Sequence, residues 1–369
     1  MNKIKVLVAN DTFNRGGQET LILDIISYSN KYGSNNSFEL LLNYAKGELI
    51  RELDKTIKVH IISRRKKIDI RSLFKIRTLL KTSKFTVIHT HSPTLGLYIL
   101  IAKTGLNIPM VQTIHGFWDK RSSSGKPQII HLLLTYILMF FCKRNIIVSN
   151  YLQSEYLKYY LPKKKFTVIY NGINFEKFNV EKKSEPNFND KIKFGMVGNF
   201  NYGRSHETLI DAFVNISSKY SNIILLLAGS GELLEFNKNK VAELRGENKI
   251  IFTGTCDTIP KFLQNLDCFI YSSRNDSFGI AVLEAMYLGI PVIVSNNGPF
   301  IELTNNGEYA TLFECENPND LQSKIESFLQ DSTANNNLAQ KAKNYVKKNF
   351  SIERNFSQTI MLYKQILEN

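Results

Sequence analysis

The sequence of 369 residues is poor in the residues that form metal sites and disulfide frameworks. It contains four cysteines and six histidines, and no two cysteines form a C-x-x-C pair. This excludes the usual cysteine zinc motif and gives no sign of a disulfide-bonded scaffold, so a reducing compartment is expected. His89 and His91 lie close together, but no carboxylate or cysteine accompanies them at metal-ligand spacing. We therefore predict no metal site.

The sequence also lacks a hydrophobic run long enough to cross a bilayer. Its longest apolar stretch, Ile129 to Cys142, has 14 residues and includes His131 and Thr135, whereas a spanning helix needs about 20 residues. The first residues, with Lys3 and Lys5, lead into a strand-like run and do not form a signal peptide. We expect a cytoplasmic protein in which Ile129 to Cys142 forms a buried or a membrane-facing helix.

A shortage of acidic residues in the first part of the chain divides the protein by charge. Residues 1–170 contain 27 lysines and arginines against 10 aspartates and glutamates, a net charge of +17, and the remaining residues contain 20 against 23, a net charge of −3. Part of the excess lies in two groups that follow each other: Arg64, Arg65, Lys66 and Lys67, then Arg71, Lys75, Arg77, Lys81 and Lys84. The second group is interleaved with apolar residues, which favours an anionic membrane surface or a polyanion about as strongly as a solvated amphipathic helix.

Short apolar runs alternate with helical patterns along most of the chain. Runs such as Lys5 to Ala9, Val111 to Ile114 and Ile223 to Ala228 are typical of buried parallel strands. We predict an α/β protein of two doubly wound, Rossmann-like parallel sheets that face each other across a cleft. The predicted domains are residues 1–172 and 192–351, joined by a linker at 173–191, and a last helix at about 352–369 packs back on the first domain.

One stretch of the second half combines a strand, a loop, a helix and a second strand in little space. Cys268 to Tyr271 suits a buried strand, a polar loop follows it, and apolar residues recur at helical spacing from Gly279 to Leu288. We predict that Ser277 caps this helix. The helix dipole and the free amides of the first turn would then favour an anion. The residues whose amides would face it are Ser277, Phe278, Gly279 and Ile280.

Two acidic residues accompany the same helix. Asp276 precedes it, and Glu284 lies inside it, eight residues further on. If helical geometry extends to Asp276, steps of about 100° per residue place the two carboxylates roughly 80° apart, so that both can border one cleft. The alternative for Glu284 is a charge at the edge of the buried face, paired with a nearby cation.

Three further clusters lie where strands are predicted to end. Gly16 and Gly17 form a double glycine between the first strand and the first helix, which lets a ligand approach the backbone. His115 follows the strand Val111 to Ile114, at the edge of the sheet where ligands gather. Arg204 lies in the loop after the first strand of the second domain, and its planar guanidinium suits a diphosphate. Each of these, taken singly, also fits a structural role.

Taken together and in order, these motifs resemble the retaining nucleotide-sugar glycosyltransferases of family four, which have the two-domain GT-B fold. The resemblance covers nearly the whole chain, and the order of the motifs makes it specific. The segments that carry it are Gly16-Gly17-Gln18-Glu19, His115-Gly116, Val168 to Ile173, Gly198 to His206, Asp276 to Glu284 and Gly298 to Glu302.

The resemblance implies roles for residues of the second domain. Glu284 matches the second acid of the family's E-x7-E motif, which holds the ribose hydroxyls. Asp276 matches the first acid, which contacts the donor sugar, and is one methylene shorter than the family's glutamate. The arginine and lysine of the family's phosphate-binding loop fall at Asn199 and Arg204. One cation is therefore absent, and the other keeps its charge, so we expect activity to be retained.

The resemblance also implies roles for the first domain and a reaction without metal or other cofactor. Gly17 matches the glycine against the donor phosphates, and His115 matches the histidine near the sugar. Arg204 and the amides of Ser277 to Ile280 would stabilise the charge that develops on the leaving phosphate. Domain closure would exclude water, and front-face attack would keep the anomeric configuration.

The expected partners are a nucleotide sugar, a glycan or lipid-linked acceptor and an anionic membrane surface, with no nucleic acid. The protein would act at the inner face of the cell membrane, in cell-surface polysaccharide or glycan assembly, with His89 and His91 structural or near the acceptor. Two other functions stay open: a nucleotide-sugar epimerase of the same two-domain form, and a catalytically silent nucleotide- or carbohydrate-binding protein. The ordered set of Gly17, Arg204, Asp276 and Glu284 argues against the epimerase.

Overall fold

The structure, a computed structural model, describes residues 3–33, 36–45, 47–64, 69–116, 129–158, 165–179, 190–256 and 258–368. The chain divides into two compact units. Of the described residues, those up to Asn174 and those from Ile352 onward form the first unit, and those of Phe175–Ser351 form the second. Each unit contains one parallel sheet, so the predicted pair of doubly wound α/β sheets is confirmed.

In the described residues of the first unit there are seven strands. They are β1 (Ile4–Asn10), β2 (Asn36–Leu42), β3 (Val59–Ile61), β4 (Val87–Thr90), β5 (Met110–Ile114), β6 (Arg144–Ile147) and β7 (Phe166–Val168). Their order in the sheet is β3-β2-β1-β4-β5-β6-β7, and neighbouring strands pair in parallel. Central strands such as β1 and β4 are buried on both faces, as a continuous apolar run such as that of β1 requires.

Helices cover both faces of this sheet. They are α1 (Gly17–Tyr32), α2 (Ile70–Thr82), α3 (Pro93–Ala102), α4 (Ile129–Phe141), α5 (Asn150–Leu157) and the last helix of the chain, α13 (Ile352–Glu368). On one face, α1 and α13 share an apolar core with β1 and β2, which includes Ile26 and Phe356. On the other face, α2, α3 and α4 share a core that includes Ile76, Ile99 and Leu138.

The second unit contains six strands and the remaining helices. The strands are β8 (Ile192–Val197), β9 (Ile223–Ala228), β10 (Ile250–Gly254), β11 (Cys268–Tyr271), β12 (Val292–Ser295) and β13 (Thr311–Phe313). The helices are α6 (His206–Ser217), α7 (Leu234–Glu243), α8 (Ile259–Gln264), α9 (Ile280–Leu288), α10 (Gly298–Leu303), α11 (Pro318–Gln330) and α12 (Ser332–Asn349). The strand order β10-β9-β8-β11-β12-β13 repeats the winding of the first sheet.

Local side-chain chemistry defines where several helices begin. The side chains of Asp69, Ser92 and Ser149 each accept a hydrogen bond from a backbone amide in the first turn of α2, α3 and α5. Pro93 and Pro318 occupy the first turns of α3 and α11, where a missing N–H has no cost. These are short-range signals, and they explain why most helix boundaries can be predicted from the sequence.

Two regions differ from the prediction or extend beyond it. The short edge strand β13 was not predicted, because three residues carry too little periodicity. Part of the predicted linker forms a 3-10 turn, Phe175–Phe178, and the ring of Phe175 stacks on Tyr287 with centroids 4.2 Å apart. Linker residues 180–189 lie outside the described residues.

Candidate functional site

Each sheet has one topological switch point, where the chain crosses to the other side of its first strand. It lies between β1 and β4 in the first unit and between β8 and β11 in the second. Ligands of open α/β sheets bind at such a point, outside the carboxyl ends of the strands. The sequence-predicted residues that follow these strands or their neighbours are Gly16, Gly17, His115, Asn199, Arg204 and Asp276.

In the second unit, the loop after β11 is hydrogen-bonded to the turn after β8. Ser272 Oγ donates to the carbonyl of Ser205 at 2.9 Å, and Ser273 Oγ donates to the carbonyl of Gly203 at 2.8 Å. The amide of Arg274 donates to the same Gly203 carbonyl at 3.0 Å. Ser272 and Ser273 are fully buried. Because these bonds are sheltered from water, they hold the two loops in one arrangement.

Arg204 lies between the two loops. Its Nη1 donates to the carbonyl of Asn275 at 3.1 Å and to Ser273 Oγ at 3.2 Å, and it lies 3.0 Å from Asp276 Oδ2. Burial alone would lower the pKa of Arg204, but Asp276 and Tyr271 together raise it above its ordinary value, so the guanidinium is charged. Within the described residues, the bonds of the guanidinium all use Nη1, which leaves Nε and Nη2 for a ligand.

Both oxygens of the Asp276 carboxylate have partners. Oδ2 binds Arg204 and accepts a hydrogen bond from the Tyr271 hydroxyl at 3.1 Å. Oδ1 accepts from the amide of Ser277 at 2.7 Å and from that of Phe278 at 3.3 Å. An aspartate side chain that folds back on the amides after it is a common turn arrangement. Asp276 therefore links the guanidinium of one loop to the backbone of the other.

The start of α9 corrects the predicted N-cap. Ser277 does not cap this helix: α9 begins at Ile280, and its N-cap is Gly279, with φ of 94°. Glycine is required because this backbone is left-handed and a Cβ would collide with the ring of Phe300. Helical geometry accordingly does not extend to Asp276. Of the four amides predicted to face an anion, those of Ser277 and Phe278 are bound by the Asp276 carboxylate.

Glu284 and Asp276 nevertheless lie near the same phenol. Burial is the main cause that raises the pKa of Tyr271, and the carboxylates of Asp276 and Glu284 raise it further. Asp276 accepts the hydrogen bond of this phenol, and the charge of Glu284 also acts on it. The Phe278 side chain, by contrast, is 2% exposed and packs edge-on against Phe350, so only its backbone faces the loop.

Arg274 is a candidate residue that the sequence interpretation missed. Its Nη1 donates to the carbonyl of Tyr202 at 2.9 Å, and its Nη2 donates to Ser205 Oγ at 2.9 Å. It also forms ion pairs with Glu207 and Glu316, and its side chain is only 11% exposed. Arg274 therefore holds the turn that carries Arg204. A signal was available, since a polar run directly after a buried strand marks the edge where ligands bind.

The other predicted and neighbouring residues of this edge are neutral. Asn199 is exposed at the start of the loop after β8. His206, the first residue of α6, is 1% exposed and stacks on Phe200 with ring centroids 4.0 Å apart. Burial, and then the charge of Arg204, lowers the pKa of His206 to about 3. At neutral pH, His206 therefore adds no positive charge beside Arg204.

In the first unit, Gly16 and Gly17 stand at the start of α1. Gly16 is the N-cap, and Gly17 is the first helical residue. The backbone of Gly16 is extended, with φ of −160°, a conformation that any residue adopts. A Cβ on Gly16, however, would lie 2.7 Å from Glu19 Oε2. Glycine at this position leaves room for the Glu19 carboxylate.

Polar side chains behind the double glycine bind one another. Asn10, the last residue of β1, donates through Nδ2 to Glu19 Oε1 at 3.2 Å and accepts through Oδ1 from Gln18 Nε2 at 2.7 Å. Gln18 Nε2 also donates to the carbonyl of His91 at 3.3 Å. Burial raises the pKa of Glu19. The motif found in the sequence at residues 16–19 therefore connects the ends of β1 and β4.

Three histidines follow one another at the ends of β4 and β5. His91 Nδ1 and His115 Nε2 are 2.8 Å apart, and the two rings stack. His89 binds the Tyr363 hydroxyl through Nδ1 and Thr113 Oγ1, at 2.7 Å, through Nε2. Burial lowers the pKa of all three, that of His89 to about 3. These rings are neutral at pH 7 and can donate or accept single hydrogen bonds.

The basic segment of the first unit is only partly described. Arg65, Lys66 and Lys67 lie outside the described residues. Arg64 donates to the Tyr44 hydroxyl at 3.2 Å. On α2, Arg77 donates to the carbonyls of Ala102 and Thr104, both at 2.8 Å, and so caps the end of α3. Part of this positive charge thus has a structural use.

Membrane spans and clusters of metal ligands are both absent from the described parts of the chain. None of their helices combines the length and the hydropathy that a bilayer-spanning segment needs. In those same parts, no three His, Cys, Asp or Glu residues cluster as metal ligands would.

Comparison with protein families and known proteins follows the division into two units. Residues 15–177 match the family model described as Glycosyltransferase Family 4, and residues 177–345 match the model described as Glycosyl transferases group 1. The O-antigen biosynthesis glycosyltransferase WclY of Escherichia coli is 30% identical over 249 residues, which cover 64% of this chain and 68% of WclY.

Two further proteins are similar over a larger share of the chain. The UDP-Gal:alpha-D-GlcNAc-diphosphoundecaprenol alpha-1,3-galactosyltransferase of Escherichia coli is 26% identical, over 82% of this chain and 81% of its own length. The crystal structure of HepE from Anabaena, in complex with UDP and glucose, superposes with a TM-score of 0.83 at 19% identity and covers 98% of this chain and 99% of HepE. At that identity the structural likeness shows the fold alone.

Proposed function

The chain belongs to the group 1 glycosyltransferases, and we propose that it transfers a sugar from a nucleoside-diphosphate sugar to a glycan or lipid-linked acceptor with retention of configuration. The observation that carries the proposal is the charged guanidinium of Arg204 at the switch point of the second unit, held there by Asp276 and by buried loop contacts. A diphosphate offers paired oxygens that match the planar fork of an arginine.

The leaving group would be stabilised by fixed charges and dipoles. As the nucleoside diphosphate departs, negative charge develops on its phosphate, and Nε and Nη2 of Arg204 bind it. The amides of Gly279 and Ile280, at the N-terminus of α9, add the partial positive charge of the helix. Because these groups are in place before the reaction, they lower the barrier without reorganisation. The proposed reaction therefore uses no metal and no other cofactor.

The two acids would take different parts of the donor. Glu284 holds the ribose hydroxyls, and Asp276 contacts the sugar while it keeps Arg204 in position. Asn199, which has no charge, adds at most a hydrogen bond to the phosphates. In the same proposal, Gly16 and Gly17 lie against the donor phosphates and His115 lies near the sugar, as the resemblance implies.

The relatives support a choice of donor and acceptor. The galactosyltransferase is named for UDP-galactose and for a diphosphoundecaprenol-linked acceptor, HepE was crystallised with UDP, and WclY is named for O-antigen biosynthesis. We infer that this chain uses a UDP-sugar, acts on a lipid-linked glycan and contributes to cell-surface polysaccharide assembly. The corresponding location is the cytoplasmic face of an anionic membrane, with the protein bound peripherally.

One screen tests the proposal. The purified chain is incubated with a panel of nucleotide sugars, with and without an undecaprenyl-diphosphate-linked sugar as acceptor, and the released nucleoside diphosphate and the extended acceptor are measured. Acceptor-dependent release of UDP with a product of retained configuration is expected. Interconversion of the nucleotide sugars would indicate an epimerase, and binding without turnover would indicate a silent binding protein.

A further inference from the structure

The outer face of α4 is apolar and open to solvent. Six apolar side chains of this helix are at least 40% exposed: Ile129, Ile130, Leu133, Ile137, Phe140 and Phe141. Ile130 and Phe140 are the most exposed of them, at 71% and 69%. Single exposed apolar residues are normal on protein surfaces, but a contiguous group of this size marks an interaction surface.

The exposed residues form one stripe. At about 100° per residue, the six side chains fall within an arc of roughly 120° around the helix axis. Thr135, Leu138 and Met139, which are buried, lie on the opposite side of the helix. Helix α4 is therefore apolar towards the core and apolar towards the outside. Such a helix is typical of burial on both sides or of contact with lipid.

Neighbouring helices extend this apolar face. Helix α3 contacts both α2 and α4. It contributes Ile101, which is 50% exposed, and α2 contributes Ile70 and Phe74, which are 62% and 68% exposed. We call these three residues together with the six of α4 the apolar patch. The three helices that carry it pack side by side on one face of the first sheet.

The charges around the patch are positive. Lys143 and Arg144 directly follow α4, and Lys103 directly follows α3. The ammonium group of Lys165 donates to the carbonyl of Phe140 and lies 5.2 Å from the centre of its ring. Between residues 70 and 154 the sequence contains a single acidic residue, Asp119, and Asp69 directly precedes Ile70 of the patch. Among the described residues of that range there is none.

We propose that the apolar patch inserts into the surface of an anionic bilayer, with α4 parallel to the membrane plane. The helix is too short to span a bilayer, but its apolar face can be buried about 5–10 Å deep at the boundary of headgroups and acyl chains. The lysines and arginines at its end then meet lipid phosphates. A second copy of this chain is a poorer occupant, because two such faces would bring like charges together.

The inference rests on the proposed function, since a lipid-linked acceptor is held in the bilayer. It chooses between two expectations from the sequence: Ile129 to Cys142 as a buried or a membrane-facing helix, and membrane contact by the basic residues of segment 64–84. In the structure, Lys75 and Arg77 of that segment bind carbonyls of the protein. The exposed apolar surface, by contrast, is largest on α4.

Flotation with lipid vesicles tests the inference on the full chain. The double variant Ile130→Ser, Phe140→Ser is compared with wild type and with Phe236→Ser, which replaces an apolar side chain of similar exposure, 57%, in the second unit. On phosphatidylglycerol vesicles, we expect the double variant to bind more weakly by on the order of tenfold or more. Phe236→Ser should bind like wild type. Unchanged thermal unfolding would show that all three proteins are folded.

A second double variant tests the positive charges beside the apolar patch. Lys143→Ser, Arg144→Ser should weaken binding to phosphatidylglycerol vesicles and reduce its sensitivity to salt. Wild type should bind phosphatidylcholine vesicles less tightly than phosphatidylglycerol ones. Equal binding of wild type and the Ile130→Ser, Phe140→Ser variant would overturn the inference, as would a wild-type dimer that this variant abolishes.

Sugar transfer to a detergent-dispersed acceptor separates the two proposals. The Ile130→Ser, Phe140→Ser variant should retain this transfer, because neither residue lies at a switch point. Wild-type transfer without vesicle binding would contradict the membrane inference alone. Vesicle binding without transfer would contradict the proposed function alone.

Discussion

The two sheets share one winding, but the edges at their switch points carry different chemistry. At the first, Asn10, Gln18, His91 and His115 are neutral groups that bind one another. At the second, a charged arginine, Arg204, is paired with a carboxylate. Neutral donors and acceptors suit the hydroxyl groups of a sugar, whereas fixed charge suits a phosphate.

The net charge of each part of the chain does not predict which groups lie at the edge of its sheet. Residues 1–170 have a net charge of +17, yet the edge of the first sheet holds the neutral His91 and His115 beside the carboxyl group of Glu19. The remainder has a net charge of −3, yet its edge holds Arg204. The reason is that the charge of a site depends on a few loop residues and on their burial. Among the described residues of the first part, four cations lie on α2, and Lys143, Arg144 and Lys165 lie near the end of α4.

Removal of Arg204 is expected to have the largest effect on activity. It would take the phosphate-binding cation from the switch point of the second sheet. For Arg204→Ala we expect kcat/KM to fall on the order of 10² to 10³-fold, the usual effect of losing a group that stabilises developing charge. Arg204→Lys keeps the charge without the planar fork and should lose less. Release of UDP in a steady-state transfer assay measures both.

The control for Arg204 is Lys238→Ala, which removes a surface ion pair with Glu235 in the same unit. It should leave turnover unchanged. Thermal unfolding is followed in parallel, because Arg204→Ala leaves Asp276 without its cation. Wild-type turnover of a folded Arg204→Ala protein would show that the phosphate binds elsewhere. Arg204 would then not be the group that distinguishes the second edge from the first.

Replacement of Glu284 distinguishes an effect on donor binding from an effect on the chemical step at the second edge. If its carboxylate holds the ribose equally in the ground state and the transition state, Glu284→Ala should raise KM for the donor by about tenfold or more and change kcat little. Glu235→Ala, at an exposed position of α7, serves as the control. Turnover and KM that both stay at the wild-type values would show that the ribose assignment is wrong.

Acid is expected to destabilise the first unit more steeply than the second. Burial lowers the pKa of His89 and of His206 to about 3, and it also lowers those of His91 and His115. From about pH 6.5 down to about pH 3 the unfolded chain binds more protons than the folded one, so stability falls with pH. Each histidine contributes about 1.4 kcal/mol per pH unit. Among the described residues, three such histidines lie in the first unit and one in the second.

Amide hydrogen exchange at pH 7 and pH 5, corrected for the intrinsic rate, measures the stability of each unit. His206→Gln should remove most of the acid sensitivity of the second unit and leave that of the first unchanged. Equal loss of protection in both units of the wild type would show that the first edge is no richer in buried neutral histidines than the second.

The smallest effect is expected for Arg274, which acts through the turn that holds Arg204. Arg274→Lys keeps a charge but cannot bind the Tyr202 carbonyl and Ser205 Oγ together. At about 1 kcal/mol for a lost hydrogen bond, we expect kcat to fall about fivefold while KM for the donor stays the same. Glu316→Gln, at the exposed partner, should have little effect. A change in KM alone would assign Arg274 to donor binding instead.

Much of the fold was predictable because its signals are local. Continuous apolar runs such as β1 and β9 indicated parallel strands, and the last helix was expected at almost the residues it occupies. The N-cap of α9 could not be predicted in the same way. Asp276 and Ser277 both suit a cap, and the choice depended on Asp276 also reaching Arg204, a residue far away in the sequence.

Strand periodicity and turn residues are properties of neighbours in the chain. The sequence alone was therefore enough to predict that four candidate residues follow strand ends: Gly16, His115, Arg204 and Asp276. The tertiary structure decided which of these groups are charged and which surface of α4 is exposed. His89, for example, is bound by Tyr363, 274 residues further along the chain. Desolvation and hydrogen-bond partners arise from such distant contacts, and they make the histidines of the first edge neutral and leave the second edge its cation.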